Sequence, residues 1–345
     1  MRLLIQAIPL RANVHKNLLP ALRILLALTA TVYVVYSLSQ LDASVFSTWL
    51  GKIKPNTITW LQASVVLILM PLNLGFEVFK WKILSSRLER ISLSRIIHSV
   101  LYGMTLGMIT PKRSGEFAGR IMILQPRFRF RGLLLNTAGG LSQLFITLLM
   151  GCISVLFLLP AWQPISSQQL TTGNYGWMIT LAAFSASFIL LLVLGLPALA
   201  RRGLPNQNRF LHKVSLQLGV LGKLSPSNIF ALFSLSLMRY FVFVVQFYLL
   251  LKLFGLAMPF PVLFSLIAVI YLFMALIPLS AIWELGVRGP VALFVFGLYN
   301  SLTQDSAYEM PVLAATTALW VVNLAFPAIT GGIMGIGKEL NSSNS

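Results

Sequence analysis

From Leu133 to Leu159 the chain carries no charged side chain. As a helix rising ~1.5 Å per residue this run is about 40 Å long, more than the ~30 Å hydrocarbon core of a bilayer. Such a run suits lipid, where a helix satisfies its own backbone N–H and C=O groups. Comparable runs lie at Leu18–Leu38, Thr57–Phe76, Trp177–Ala200, Ile229–Leu251 and Met310–Gly337. The composition agrees, with 57% hydrophobic and only 10% charged residues among 345 and a mean hydropathy of +0.84. The expected fold is an all-α polytopic membrane protein with about six full spans, residues 1–345 forming a single transmembrane domain. No stretch between the runs is long and polar enough for a separate soluble domain, so a catalytic domain would have to come from another chain.

Charge sets the expected orientation. The chain has 26 Lys and Arg against 8 Asp and Glu, a formal net charge of +18. The basic residues cluster at 2–23, 80–95, 112–131 and 201–223, with Lys338 near the end, whereas only Lys52, Lys54 and Lys252 fall in the alternate loops. Cytoplasmic loops carry the excess of Lys and Arg, so the chain reads as N-in, C-in. With no soluble face to track phosphates, nucleic acid is not an expected partner. Cys152 is the one cysteine and lies in an apolar run, and His15, His98 and His212 are scattered, so no disulfide, metal or cofactor is expected.

Two apolar segments are too short or too broken to be ordinary spans. Ile96–Thr110 is about 22 Å as a helix and stops at Pro111. Lys112, Arg113, Glu116 and Arg120 follow, then a short apolar return through Phe117–Leu124. Both flanks are basic, and a full crossing would put one of them outside. A re-entrant hairpin over 96–124, in from the cytoplasm and back, satisfies both. The second copy, over 262–299, is broken at Pro278, carries Glu284, Gly286 and Arg288, and returns after Gly289-Pro290. It enters from the outside. The halves 18–159 and 177–337 therefore read as inverted repeats, an arrangement that points to a midplane site in transporters. The alternative is an eight-span chain in which 262–283 crosses fully.

The candidate substrate-binding residues follow from this pairing. Pro111 interrupts the first hairpin, Gly115 permits a tight tip, and Glu116 sits in the first turn of the returning helix. Arg113 and Arg120 offer guanidinium forks that match phosphate oxygens. Pro278, Glu284, Gly286 and Arg288 form the partner cluster, with Glu284 and Arg288 spaced to share a helix face. Arg239 stands in mid-span, and its expected partner is Glu116 or Glu284. Asn136, Gln143, Gln246 and Asn323 read as interhelical hydrogen-bond glue. The pairs Gly103–Gly107, Gly115–Gly119 and Gly331–Gly335 read as packing faces. No nucleophile, metal cluster or His–acid pair stands out, and no catalytic residue is assigned.

Thr110, Pro111, Arg113, Gly115, Glu116 and Arg120, with Pro278, Gly286, Val287 and Arg288, resemble the two signatures of the flippase-like transmembrane family of the lysylphosphatidylglycerol synthase/flippase proteins. The chain departs from the second signature at Gly289, where an acid is expected, and at Glu284, where Gly is usual. The resemblance covers the segment order of nearly the whole chain. It implies two inverted halves and movement of a lipid between leaflets, an aminoacylated phospholipid or a lipid-linked sugar. It does not extend to synthase activity, because the soluble aminoacyl-transferase domain of fused members has no counterpart here.

The expected function is an integral membrane lipid flippase or transporter of the cell (inner) membrane, multi-pass, acting on a phospholipid-type or lipid-linked substrate. Membrane lipids are its expected partners. Two other classes remain open: an enzyme acting on lipid-linked sugars, with Glu116 as general base, and a non-catalytic membrane subunit serving a partner glycosyltransferase or lipid-modifying enzyme.

Overall fold

The computed structural model describes residues 56–110, 113–162, 187–190, 194–195, 197–198, 200, 217–256, 258–277, 281–300 and 308–342. The expected span at 18–38, most of that at 177–200, and Pro111, Lys112 and Pro278 lie outside the described residues. The principal elements are α1 (Thr57–Ser85), α2 (Leu93–Ile109), α3 (Ser114–Ile121), α4 (Arg129–Trp162), α5 (Pro226–Leu253), α6 (Phe260–Leu276), α7 (Ala281–Asn300), α8 (Glu309–Trp320) and α9 (Phe326–Ser342). Among the described residues there is no strand.

Among the described residues, four helical stretches are long and apolar enough to cross a membrane: Thr57–Ser85, Pro126–Leu158, Pro226–Leu253 and Glu309–Met334. Their outer faces carry large apolar side chains that water would penalise. Trp60 is 67% exposed, Phe230 75% and Ile333 66%. Bulky apolar groups exposed along whole helices mark a lipid-facing surface. Among the described residues the structure is all-helical, and its long apolar helices suit a membrane protein.

Local sequence explains where the long helices start and bend. α1 begins at a capping box in which Asn56 Oδ1 accepts from Thr59 N–H and Thr59 Oγ1 accepts from Asn56 N–H, both at 2.8 Å. α5 begins in the same way at Ser225 and Asn228, with Pro226 in the first turn, where its missing N–H costs nothing. The Glu309–Met334 stretch is interrupted by one π-helical turn, Val321–Ala325, between α8 and α9. Pro327 removes the donor that would reach the carbonyl of Asn323, so the ladder loosens there.

The boundaries differ from the hydropathy reading in two places. α1 does not stop at Phe76 but continues to Ser85. Glu77 and Lys80, expected in a cytoplasmic loop, are buried on its inner face. No Gly or Pro breaks the chain there, and Trp81 and Leu84 continue the buried stripe. The return of the second hairpin does not start at Gly289-Pro290. α7 runs from Ala281 through Pro290 to Asn300 as one helix.

α2 and α3 form a hairpin whose base is tied together, Arg95 Nη2 donating to the Ile123 carbonyl at 3.2 Å. Glycine permits the close approach along its seam. A Cβ on Gly119 would lie 2.5 Å from Gly103 Cα, and one on Gly115 would lie 2.4 Å from the Leu106 carbonyl oxygen. α6 is apolar on all sides, with Leu266, Ile267, Ala268, Val269 and Ile270 all buried. A helix of that kind belongs in an interior. The packing across the chain is reciprocal: α2 lies along α9, α6 lies along α4, and α1 lies along α5.

The glycine seam predicts a graded response. Gly119→Val should cost about 1–3 kcal/mol of stability, as overpacked contacts do, and lower the thermal midpoint of the detergent-solubilised protein. Gly75→Ala, with nothing within 4 Å of its Cβ position, should leave the midpoint unchanged or raise it. Equal midpoints for the two variants would show that the seam is not tight.

Candidate functional site

The site begins with a polar stripe on α1. Asn73, Glu77 and Lys80 follow one another at helical spacing and are all buried. Isolated charges at membrane depth are costly, so each must find partners. Glu77 finds three. Its Oε1 accepts from Arg120 Nη1 at 2.5 Å, and its Oε2 accepts from Arg239 Nη1 and lies 3.4 Å from Lys80 Nζ. Arg239 Nε also donates to Asn73 Oδ1 at 2.9 Å, and Asn73 Nδ2 donates to Asn323 Oδ1 at 3.0 Å. Asn323 sits in the π-helical turn, which presents it to α1.

The expected partner of Arg239 was Glu116 or Glu284; the direct partner is Glu77. The cause is the packing of α1 along α5, which faces mid-span Arg239 onto the α1 stripe. Sequence reasoning missed Glu77 because hydropathy ended the helix at Phe76. The signal was present nonetheless, in the Asn73–Glu77–Lys80 spacing.

The tip of the first hairpin supplies the next layer. Arg113 precedes α3 with φ 54° and ψ 27°, a left-handed conformation unusual for a residue with a side chain. Thr110 fixes this turn, its Oγ1 donating to the Leu106 carbonyl and accepting from Gly115 N–H, each at 2.7 Å. Gly115 was expected to supply conformational freedom. Its role is clearance instead, and the left-handed position belongs to Arg113. The turn directs Arg113 onto Glu116, with Nε and Nη2 both donating to Oε1, the former at 2.8 Å. Glu116 Oε2 lies 3.8 Å from Arg120 Nη2, and Arg120 Nη1 also donates to Asn136 Oδ1 at 3.1 Å. Asn136 and Asn323, expected to act only as glue, thus touch the charged cluster or its supports. Gln246 and Gln143 do bridge helices, donating to the Val66 and Ser236 carbonyls.

The second hairpin meets the first. In α7, Arg288 Nη2 donates to Glu284 Oε1 across one helical turn. Glu284 Oε2 lies 3.5 Å from Arg113 Nη1. One chain of ion pairs therefore runs from Arg288 through Glu284, Arg113, Glu116 and Arg120 to Glu77, Arg239 and Lys80. Gly286 takes no part in it. That residue is exposed, and a Cβ there would meet nothing within 4 Å. Pro111 and Pro278 lie outside the described residues.

A cavity of about 530 Å³ opens where the two hairpins meet, lined among others by Arg113, Glu116, Arg239, Glu284 and Arg288. Its neutral wall includes Gln143, Thr147, Tyr240 and Tyr271. The Arg239 guanidinium carbon stands 5.4 Å from the centroid of the Phe243 ring, another lining residue. The ion-paired set holds five cations (Lys80, Arg113, Arg120, Arg239, Arg288) and three carboxylates (Glu77, Glu116, Glu284). The excess is cationic, which equips the cavity to bind an anion. Among the described residues, no group of three or more His, Cys, Asp or Glu is arranged to hold a metal ion.

No protein-family model matches the chain, and no curated protein matches its sequence.

Glu77 tests the ion-pair chain as a physical unit. Removing one partner of a buried ion pair costs about 3–5 kcal/mol, so Glu77→Ala should strongly lower the unfolding midpoint in detergent. Glu89→Ala, whose carboxylate accepts from Gln125 N–H at 3.3 Å near the surface and, among the described residues, forms no ion pair, should stay near wild type. In a double-mutant cycle, Glu77→Gln and Arg239→Gln should couple by more than about 1 kcal/mol. Additive effects would mean that the two side chains do not interact.

Proposed function

We propose that this protein is a flippase-like lipid transporter that moves a phospholipid-type or lipid-linked substrate between leaflets. The observation that carries the reading is the cation-rich cavity at the meeting point of two hairpins, inside an envelope of lipid-facing helices. A phosphate headgroup would enter this cavity and pair with Arg113, Arg239 and Arg288, whose guanidinium forks match its oxygens. The acyl or isoprenoid tail would stay in lipid.

In this reading 96–124 and 262–299 are re-entrant hairpins of inverted halves, the first entering from the cytoplasm and the second from outside. The tied base of the α2–α3 hairpin and the reciprocal packing of α2 on α9 and α6 on α4 support it. Two related halves that exchange corresponding contacts are suited to alternating access, by rocking about a site at their interface. Arg113–Glu284, the cross-hairpin contact, is placed to break and re-form as the tips separate. The resemblance to the lysylphosphatidylglycerol synthase/flippase transmembrane family points the same way. The protein would act in the cell (inner) membrane with membrane lipids as its partners.

Reconstitution tests the proposal. Proteoliposomes should move a headgroup-labelled phospholipid between leaflets faster than protein-free vesicles. A lost charge-assisted hydrogen bond is worth about 1.5–3 kcal/mol, so Arg113→Ala and Arg288→Ala should each slow this movement about tenfold or more. Arg90→Ala, exposed and outside the cluster, should not. Wild-type vesicles no faster than empty ones would sink the transport reading.

A further inference from the structure

A second set of cations lies outside the cavity. Lys82, Arg90, Arg95, Arg127, Arg129 and Lys223 are exposed, and none of them lines it. One end of the helix bundle gathers them, because three connecting segments pack there in one hydrophobic cluster: Leu88 and Ile91 before α2, Leu124 and Phe128 before α4, and Leu221 and Leu224 before α5. Among the described residues none of the six is ion-paired, and Glu89 is the one acid on these segments. Where α5 ends and α8 begins, at the opposite end, the described charges are Lys252 and Glu309. We propose that the basic end is an accessory binding surface for anionic phospholipid headgroups, centred on Arg95, Arg127 and Arg129 and independent of the transport reading.

The way the arginines are held is the first ground. Arg95 Nη2 donates to the Ile123 carbonyl at 3.2 Å, and Arg129 Nε donates to the Leu124 carbonyl at 3.4 Å. Two guanidinium groups are thus anchored on consecutive carbonyls just beyond α3. A carbonyl fixes a guanidinium without neutralising it, and each retains N–H donors that these bonds do not use. The Arg127 guanidinium carbon stands 4.7 Å from the centroid of the Phe128 ring, which orients a third fork, again with no carboxylate. Three cations set around one connector repel one another, and an anion relieves that repulsion. Guanidinium forks match phosphate oxygens. A phospholipid with net negative charge keeps the full attraction, whereas the ammonium of phosphatidylcholine offsets it.

Depth is the second ground, and it selects lipid over an acidic protein. Three of the membrane-length helices have an end here, and each carries cations at that end: Lys82 in the last turn of Thr57–Ser85, Arg127 and Arg129 in the first turn of Pro126–Leu158, and Lys223 just before Pro226–Leu253. In a bilayer the ends of such helices lie among the headgroups. Met122 and Phe130, which flank the connector, and Leu93, two residues before Arg95, are exposed large apolar side chains. Water penalises them. The boundary between headgroups and acyl chains suits both kinds of residue, because the apolar groups enter the hydrocarbon while the guanidinium groups stay with the phosphates.

The test is competitive lipid binding to the full chain in neutral detergent, read by native mass spectrometry with equal phosphatidylglycerol and phosphatidylcholine in the micelles. Wild type should retain phosphatidylglycerol about tenfold or more over phosphatidylcholine at low salt. Salt screens exposed charges, so raising the ionic strength should shrink that preference several-fold; this salt-sensitive fraction is the surface-bound lipid, and reading it needs no variant. Near a membrane surface each Lys or Arg is worth about a fivefold gain in binding. Arg127→Gln combined with Arg129→Gln should therefore lower the salt-sensitive retention about twentyfold, with an unchanged unfolding midpoint. Lys252→Gln at the opposite end and Arg288→Ala in the cavity should leave it in place. Equal retention of the two lipids overturns the proposal, and binding of a polyglutamate peptide in that case would assign the surface to an acidic protein. Loss with Arg288→Ala but not with the Arg127 and Arg129 pair also overturns it, by placing the lipid in the cavity. So does full displacement by millimolar inorganic phosphate, which would make this a site for the free ion.

Discussion

The carboxylate of Glu77 is the contact on which the interior depends. It lies on a helix long and apolar enough to cross a membrane and touches Arg120, Arg239 and Lys80. Without Glu77 those cations would be held together at membrane depth against their own repulsion. Without the cations, Glu77 would be a bare charge in a low-dielectric interior. Neither side is tolerable alone, and each partner comes from or packs on a different element: Lys80 on α1, Arg120 on α3, Arg239 on α5. One ion cluster thereby fixes the rotation of α1, the depth of the first hairpin and the face that α5 presents. Burial makes this arrangement specific rather than cheap, because desolvation offsets much of the attraction.

The first hairpin shows how backbone and charge cooperate. Gly103, Gly115 and Gly119 let α2 and α3 approach to a distance that any Cβ would forbid. That closeness places Glu116 against α2, within reach of Arg120 on its own helix and of Arg113 at the tip. Arg113 in turn holds a left-handed backbone conformation that costs free energy for a residue with a side chain. Thr110 offsets part of this cost by bonding both sides of the turn. The result is a guanidinium that contacts its own hairpin through Glu116 and the other hairpin through Glu284. The two clusters thus form one site, and the cavity opens beside that junction.

Much of this was legible in the residues, for identifiable reasons. Long uncharged runs predict spanning helices because hydrocarbon leaves the backbone no other way to satisfy itself. Pro111 and Pro278, each followed by an acid and an arginine, announced two related interruptions. The Glu284–Arg288 spacing predicted their pairing across one turn. Glu77 was the main omission. Hydropathy averages over all faces of a helix, so a charged residue near the end of an apolar run looks like the start of a loop. Only the packed neighbours distinguish an inward-facing carboxylate from a solvated one. The partner of Arg239 was misassigned for the same reason, since it depends on which helix α5 packs against. Gly286 lay close to charged residues in sequence yet stands outside the cluster in space.

By itself the sequence determined the solvent this chain folds in, the helical class, the positions of the interruptions, and an excess of positive charge that needs an acidic or anionic complement. These are local or summed properties: apolar length, proline and glycine placement, net charge. Tertiary structure decided which charges touch and that both hairpins contribute to one cavity. Those are contacts between residues up to 250 positions apart, as with Asn73 and Asn323. No local pattern encodes such pairings, because they exist only after helices of similar hydrophobicity have chosen their neighbours through glycine clearance, buried charge and shape.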